Sequence, residues 1–210
     1  AEESGLIVDI DHWVRRTAFA QLDAWRRAGL PPLRIALNVS SREIRNPSVA
    51  PDLAADIAHW GLDPAAVEIE ITDRVVMAEE DLPAVLDTLR ATGVRLAIDD
   101  FGTGSSVLAR LHRCHVNTLK IDESFVRAIR AAASPGAIVP ALVQMAQTLE
   151  LDLVAEGVET GAQAAALRAL GCQLAQGYFF SPPLPASEIA ALVASDRRPE
   201  RPAGGAAATR

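Results

Sequence analysis

The stretch Ile98-Asp99-Asp100-Phe101-Gly102-Thr103-Gly104 puts two adjacent carboxylates at the close of an apolar run, Arg95 to Ile98, and then enters a glycine-rich turn. Acids at the carboxyl end of a buried strand are costly unless a metal or a basic partner uses them. One such acid reads as a helix cap, but along this chain the event recurs. The run Arg34–Val39 carries Asn38 near its end, and Val67–Thr72 carries Glu70 and Thr72. Arg95–Asp99 is followed by Asp100, and Thr118–Ile121 carries Lys120 and leads into Asp122. Leu151–Ala155 leads into Glu156 and Glu159, and Ala175–Phe180 has Gln176 near its start. Taken singly, each has an ordinary explanation: Asn38 caps the turn into Ser40, Glu70 is a solvent-facing edge residue, Lys120 pairs with a structural acid. Six coincidences of direction argue instead for a convergent site.

Helical segments fall between these strands: Asp9–Ala28, Val49–Gly61, Glu79–Thr92, Ser106–Cys114, Glu123–Leu149 with an interruption near Pro135, Thr160–Leu170 and a last one over Ala186–Ala194. Gly29, Gly61, Gly93 and Gly171 follow helices, where a glycine cap is expected. The strands are near-continuous apolar runs, which suits a parallel sheet covered on both faces. Repeated βα units imply either an eightfold barrel or a doubly wound sheet. Strand ends separate the two: a barrel gathers chemistry at nearly every carboxyl end, a doubly wound sheet at one switch point. The pattern here favours the barrel. The tail from Asp196 to Arg210, rich in Arg, Pro, Gly and Ala, reads as disordered.

The 210 residues are half hydrophobic, enough to bury a core as one domain. A formal charge of -7 argues against a nucleic-acid polymer as partner, since a phosphate backbone attracts a basic face. It leaves room for a small phosphate ligand held through metal ions. Cys114 and Cys172 make no disulfide framework and read as residues of a reducing compartment, hence a cytoplasmic chain or the cytoplasmic domain of a membrane-anchored parent. There is no membrane span, because no apolar run reaches the ~18 residues that one needs. His12, His59, His112 and His115 fall in predicted helices, without zinc spacing. The convergent donors are oxygens of Asn, Asp and Glu, which suit magnesium or manganese. Adjacent aspartates serve two ions in the arrangement used on phosphodiesters. A lysine there orients water or neutralises developing charge, and Glu156 holds a metal or accepts a proton.

Several segments resemble one known family. They are Glu3-Ser4-Gly5-Leu6-Ile7, Leu37-Asn38-Val39-Ser40, Glu68-Ile69-Glu70-Ile71-Thr72, Ile98 through Gly104, Leu119-Lys120-Ile121-Asp122, Ser124-Phe125-Val126, Val154 through Thr160, Leu170-Gly171-Cys172 and Gln176-Gly177-Tyr178. In this order they resemble the EAL domain, the family of bacterial cyclic-di-GMP phosphodiesterases, over about residues 1 to 195. The resemblance implies a modified (β/α)8 TIM-type barrel with an antiparallel first strand, opening cyclic-di-GMP to linear pGpG with two Mg2+ or Mn2+ ions. It implies Asn38, Glu70, Asp99 and Asp100 as metal ligands, Lys120 holding the attacking water, and Glu156 at the metal centre. It further implies Glu159 steadying the glycine-rich loop, and Gln176, with Asp122, on the ligand side. Partners implied are cyclic-di-GMP, a second copy of the chain, and an upstream sensory or diguanylate-cyclase (GGDEF) module in the parent protein.

Departures from the family pattern are also legible. The Glu-Ala-Leu segment that names the family, with its arginine, is not among these 210 residues, and six strands are counted where such a barrel has eight. Ser105-Ser106-Val107-Leu108 stands where Tyr-Ser-Ser-Leu is usual, Asp73-Arg74 where Glu-Ser is common, and Pro182 where arginine is common. Two alternatives to the phosphodiesterase stay open on residues alone. One is a receptor that binds cyclic-di-GMP without cutting it, favoured by the missing glutamate. The other is an unrelated barrel metallohydrolase.

Overall fold

A computed structural model describes residues 5–78, 81–102, 108–129 and 138–194. The expectations for Ser105-Ser106-Val107, the break near Pro135 and the tail 196–210 lie outside those residues. The described elements alternate. Helix α1 (Leu6–Arg27) precedes β1 (Ile35–Asn38), α2 (Ser41–Ile44) and α3 (Val49–Trp60). A 3-10 turn at Pro64–Ala66 leads into β2 (Val67–Thr72), α4 (Asp73–Ala78) and α5 (Leu82–Ala91). Then come β3 (Arg95–Phe101), α6 (Leu108–Cys114), β4 (Thr118–Ile121), α7 (Glu123–Arg127) and α8 (Ile138–Thr148). The chain continues with β5 (Asp152–Ala155), α9 (Gly161–Ala169), β6 (Leu174–Ala175) and α10 (Ala186–Ala194).

The six strands form one parallel sheet in chain order, β1 to β6. Parallel neighbours require a crossover between them, and the helices supply it. Those helices cover the outer face. Strand β2 is buried at five of six positions, with Val67 and Ile71 fully enclosed. Leu86 and Leu89 of α5, Leu53 of α3 and Phe19 of α1 close the layer outside it. The inner side chains of β2 and β4 meet across the intervening β3, so the sheet is curled. The indole of Trp25 at the end of α1 donates to the carbonyl of Ala186 at 3.3 Å, tying the first helix to the last.

Three expectations change. The run 175–180 is not a strand: β6 ends at Ala175, the Val158 N–H bonds the Gln176 carbonyl, and a turn closes from Phe180 N–H to the Gly177 carbonyl. The aromatic Tyr178-Phe179-Phe180 mimics strand composition but leaves the sheet. Helices α2 and α4 are additions to the expected elements; each is short and starts within three residues of a strand end, where no helical period has room to show. His115 lies past the end of α6, not within it, with φ at +44°.

Among the described residues β1 and β6 each pair on one side only. Unpaired strand edges template association. Exposed apolar residues accompany them: Trp13 on α1 and Leu174 on β6 are 67% and 43% exposed. These 210 residues alone are expected to be poorly soluble or to self-associate, read by light scattering after size-exclusion chromatography. A monodisperse monomer with a sharp cooperative melt contradicts this.

Candidate functional site

Lys120 stands at the centre of the site. Its strand, β4, is buried throughout, so the side chain has no route to bulk water except along the inner face. The ammonium Nζ lies 2.7 Å from Glu156 Oε1, 2.9 Å from Glu70 Oε1 and 3.1 Å from Asp99 Oδ1. These acids come from β2, β3 and the residue after β5. Three carboxylates around one ammonium leave the cluster formally at -2 when all are ionised. Lys120 is also the sole lysine of the chain; every other basic side chain of the Lys/Arg class is arginine. An ammonium is a compact point charge with three rotatable donors, one per carboxylate here, whereas a guanidinium is a rigid fork. A single lysine among so many arginines is a compositional signal visible in the sequence itself.

The two aspartates reach one side of β3 through a bulge. Ala97 and Ile98 align with Thr118 and Leu119, and then Phe101 aligns with Ile121. Asp99 and Asp100 together therefore oppose Lys120 alone. A bulge of this kind re-aims a side chain next to a site. Asp100 adopts φ of +55°, a region that aspartate tolerates better than most residues, and its N–H bonds its neighbour's carboxylate, Asp99 Oδ1, at 3.0 Å. Oxygens of Asp99, Asp100 and Glu156 lie within 4.8 Å of one another. Among the described residues this is the one carboxylate, histidine or cysteine group with the geometry to hold a metal ion.

The remaining candidates divide. Gln176 joins the cluster, its Nε2 donating to Glu156 Oε1. The residue after it, Gly177, has φ of +149° and lies so close to the Val158 backbone that a Cβ would fall 2.3 Å from Val158 N. Asn38 ends β1 directly beside Glu70 in register. Asp122 instead caps α7, accepting from the Ser124 N–H at 2.9 Å, and its charge reaches Asp100. Glu159 is exposed; its N–H is bound by Gln163, part of the box that caps α9. The glycine-rich loop it was expected to steady lies outside the described residues. Asp73, a mere departure in the sequence, is buried at the start of α4 near Asp100. Pro182 is exposed. Of the histidines, His12 pairs with Glu43 and His59 stacks edge-on to Trp60; neither faces the cluster.

Burial raises the carboxyl of Glu70 and pushes Glu156 up to about 7, where the charges of Asp99 and Glu70 add to it and the Lys120 hydrogen bond opposes it. Burial would lower Lys120, but its bonds to Glu156 and Glu70 outweigh that and raise it. Asp100 is raised by burial and by the neighbouring acids Asp99, Asp122 and Asp73. The site resists carrying its full negative charge. Glu156 is 4.5 when unperturbed and about 7 in the fold, so the folded chain keeps a proton that the unfolded chain releases. Its stabilising share is complete below about pH 4.5 and disappears as pH rises through about 7. The metal-free chain is expected to lose melting temperature over this window, and Glu156→Gln to lose less of it. Melts in chelator across the window check this; equal slopes in the two proteins contradict it.

The sequence profile of the EAL domain matches residues 1–183. This chain belongs to the EAL domain family. Cyclic di-GMP phosphodiesterase NbdA of Pseudomonas aeruginosa is 40% identical over 191 residues, which are 90% of this chain and 24% of NbdA. The bifunctional diguanylate cyclase/cyclic di-GMP phosphodiesterase MucR of the same organism is 38% identical over 195 residues, 92% of this chain and 28% of MucR. The chain thus spans about a quarter of these curated relatives. Among solved structures, the EAL domain of Mycobacterium smegmatis DcpA superposes with a TM-score of 0.87 at 39% identity, covering 92% of this chain and 88% of that one. The MucR phosphodiesterase in complex with c-di-GMP gives 0.84 at 37% identity, covering 90% and 77%. The curled six-stranded sheet is therefore part of the modified (β/α)8 barrel of the EAL domain, and the Lys120 cluster lies at the carboxyl ends of its strands.

Proposed function

We propose that this chain is the catalytic part of a phosphodiesterase that hydrolyses cyclic-di-GMP to linear pGpG in bacterial second-messenger signalling. The observation that carries the reading is the buried Lys120 ammonium held by Glu70, Asp99 and Glu156. In the reaction water adds to phosphorus and the bond to the ribose 3′ oxygen breaks. Net negative charge, hard oxygen donors and raised carboxyl pKa values fit a divalent cation, with Asn38, Glu70, Asp99, Asp100 and Glu156 as the residues that would hold it. Two Mg2+ or Mn2+ ions, when bound, supply Lewis-acid activation of the phosphoryl oxygen and a more acidic water. Lys120 presents donors to the attacking water and to developing charge. Gln176 fixes the carboxylate of Glu156, which holds the cation or accepts a proton. Asp122, at the cap of α7, and Glu159, just before the cap of α9, flank this set.

The partners in this reading are cyclic-di-GMP, a second copy of the chain, and a sensory or GGDEF module in the same protein. No helix among the described residues is long and apolar enough to cross a membrane. The two unpaired, buried thiols, Cys114 and Cys172, suit the cytoplasm.

The test is direct. The protein is incubated with cyclic-di-GMP in Mg2+ or Mn2+ and in chelator, and the products are separated chromatographically. Metal-dependent appearance of pGpG, faster than cleavage of a simple aryl phosphodiester, is expected. Tight binding without product selects the receptor reading, and faster cleavage of the aryl diester selects a different metallohydrolase.

A further inference from the structure

One layer below the Lys120 cluster lies a second set of inward side chains. Thr118 Oγ1 donates to Glu68 Oε1 at 2.5 Å. Arg95 Nε reaches the same Glu68 oxygen at 3.3 Å, while its Nη2 donates to Thr118 Oγ1 at 3.3 Å and to Asp152 Oδ2 at 2.6 Å. Four consecutive strands, β2 to β5, are joined through these bonds. Thr118 and Glu68 are 1% and 7% exposed.

The two layers repeat one geometry. Glu68 and Glu70 are two residues apart on β2, and Thr118 and Lys120 two apart on β4. Side chains at i and i+2 share a strand face. Glu68 meets Thr118 and Glu70 meets Lys120, so the β2–β4 pair is bridged twice across β3. What permits this is Ala97. It is fully buried on β3, in register with Glu70 on one side and Thr118 on the other. A methyl group there leaves the path open; a longer side chain stands in it.

We propose that Glu68 and Thr118 are positioning residues, which set the spacing of β2 and β4 and so hold Lys120 at its distance from Glu70. Lys120 is otherwise carried on a flexible four-carbon stem, whose rotamer freedom costs binding of any bridged group. A rung directly beneath it removes strand movement as a source of misplacement. The kinetic consequence rests on the hydrolase reading above; the positioning itself does not.

The sole lysine makes the test clean. Protein labelled with 13C at lysine Cε gives one side-chain signal, that of Lys120. Thr118→Val removes the hydroxyl and keeps the shape. It is expected to move that signal and to lower kcat roughly tenfold at near-constant KM, a fraction of the ~100-fold that a full ångström of misplacement costs. Thr118→Ser restores both. Ala97→Val, which blocks the path, shifts the signal in the same way. Should Thr118→Val lose its cooperative melt, Glu68→Gln is the second variant, expected to act in the same direction. A moved lysine signal in a protein that hydrolyses nothing supports the positioning and removes the hydrolase reading. An unchanged signal overturns the proposal, and so does an unchanged kcat in a hydrolysing variant whose signal has moved.

Discussion

Lys120→Ala is expected to lower turnover of cyclic-di-GMP by about 10²–10³-fold, the range for loss of a pre-placed donor at developing charge, with a much smaller loss in ligand affinity. The argument starts from charge. Glu70, Asp99 and Glu156 all place an oxygen within 3.1 Å of Nζ, and removing it leaves three carboxylates facing one another out of water. Breaking a buried ionic group by deleting one partner costs about 3–5 kcal/mol. Part of that cost is avoided by protonation, because the carboxyls of Glu70 and Glu156, already raised by burial, rise further. The sign follows: the folded variant binds more protons than the unfolded one, so its destabilisation grows with pH. A divalent cation offsets the same charge, so added Mg2+ or Mn2+ raises the melting temperature of Lys120→Ala more than that of the parent chain. Lys120→Arg does not restore turnover, since a planar fork cannot address three carboxylates on three strands as an ammonium does. Melts with and without metal, with product assays beside them, decide the matter. Undiminished hydrolysis in Lys120→Ala removes the lysine from the mechanism.

The sequence showed the direction of the site better than its depth. Strands β2 and β4 begin and end where their apolar runs do, because each is closed by polar residues and covered on both faces. The run 175–180 is not a strand because aromatic composition is shared by strands and by turns, and the close contact of Gly177 with Val158 marks the turn. Glu70, Asp99, Lys120, Glu156 and Gln176 do come together, since a parallel curled sheet aims all its carboxyl ends one way. Asp122 and Glu159 were grouped with them on strand-end position, but the structure places them at the caps of α7 and the approach to α9. A polar residue after a strand serves either purpose, and the local helix decides which. The layer of Glu68, Arg95, Thr118 and Asp152 lies away from the carboxyl ends of the strands, where the recurring polar pattern does not point. Its signal was the polar i, i+2 pairs Glu68/Glu70 and Thr118/Lys120 inside otherwise apolar strands.

Glu70→Ala and Asp99→Ala are each expected to abolish measurable turnover, and their effects on the apo protein distinguish a metal role from a structural one. Each removes one negative charge from a cluster formally at -2. In the absence of metal this relieves repulsion that now raises Glu156 and Glu70. It also removes one of three acceptors from an ammonium with few other partners. The two effects oppose each other, so the apo melt of either variant changes little compared with that of Lys120→Ala, where only repulsion remains. Cation binding has no such compensation. The site loses both a donor oxygen and half its formal charge, and the stabilisation by Mn2+ present in the parent chain should vanish in both variants. For Asp99 the loss includes the acceptor of the Asp100 N–H, which helps hold Asp100 in its left-handed conformation at the bulge. Asp99→Asn keeps that acceptor and gives up the charge, so it separates the two contributions. Calorimetric titration with Mn2+ and a product assay read both. Full metal-dependent hydrolysis in Glu70→Ala and Asp99→Ala would mean that the cation is held elsewhere and that the Lys120 cluster is a structural plug of the barrel.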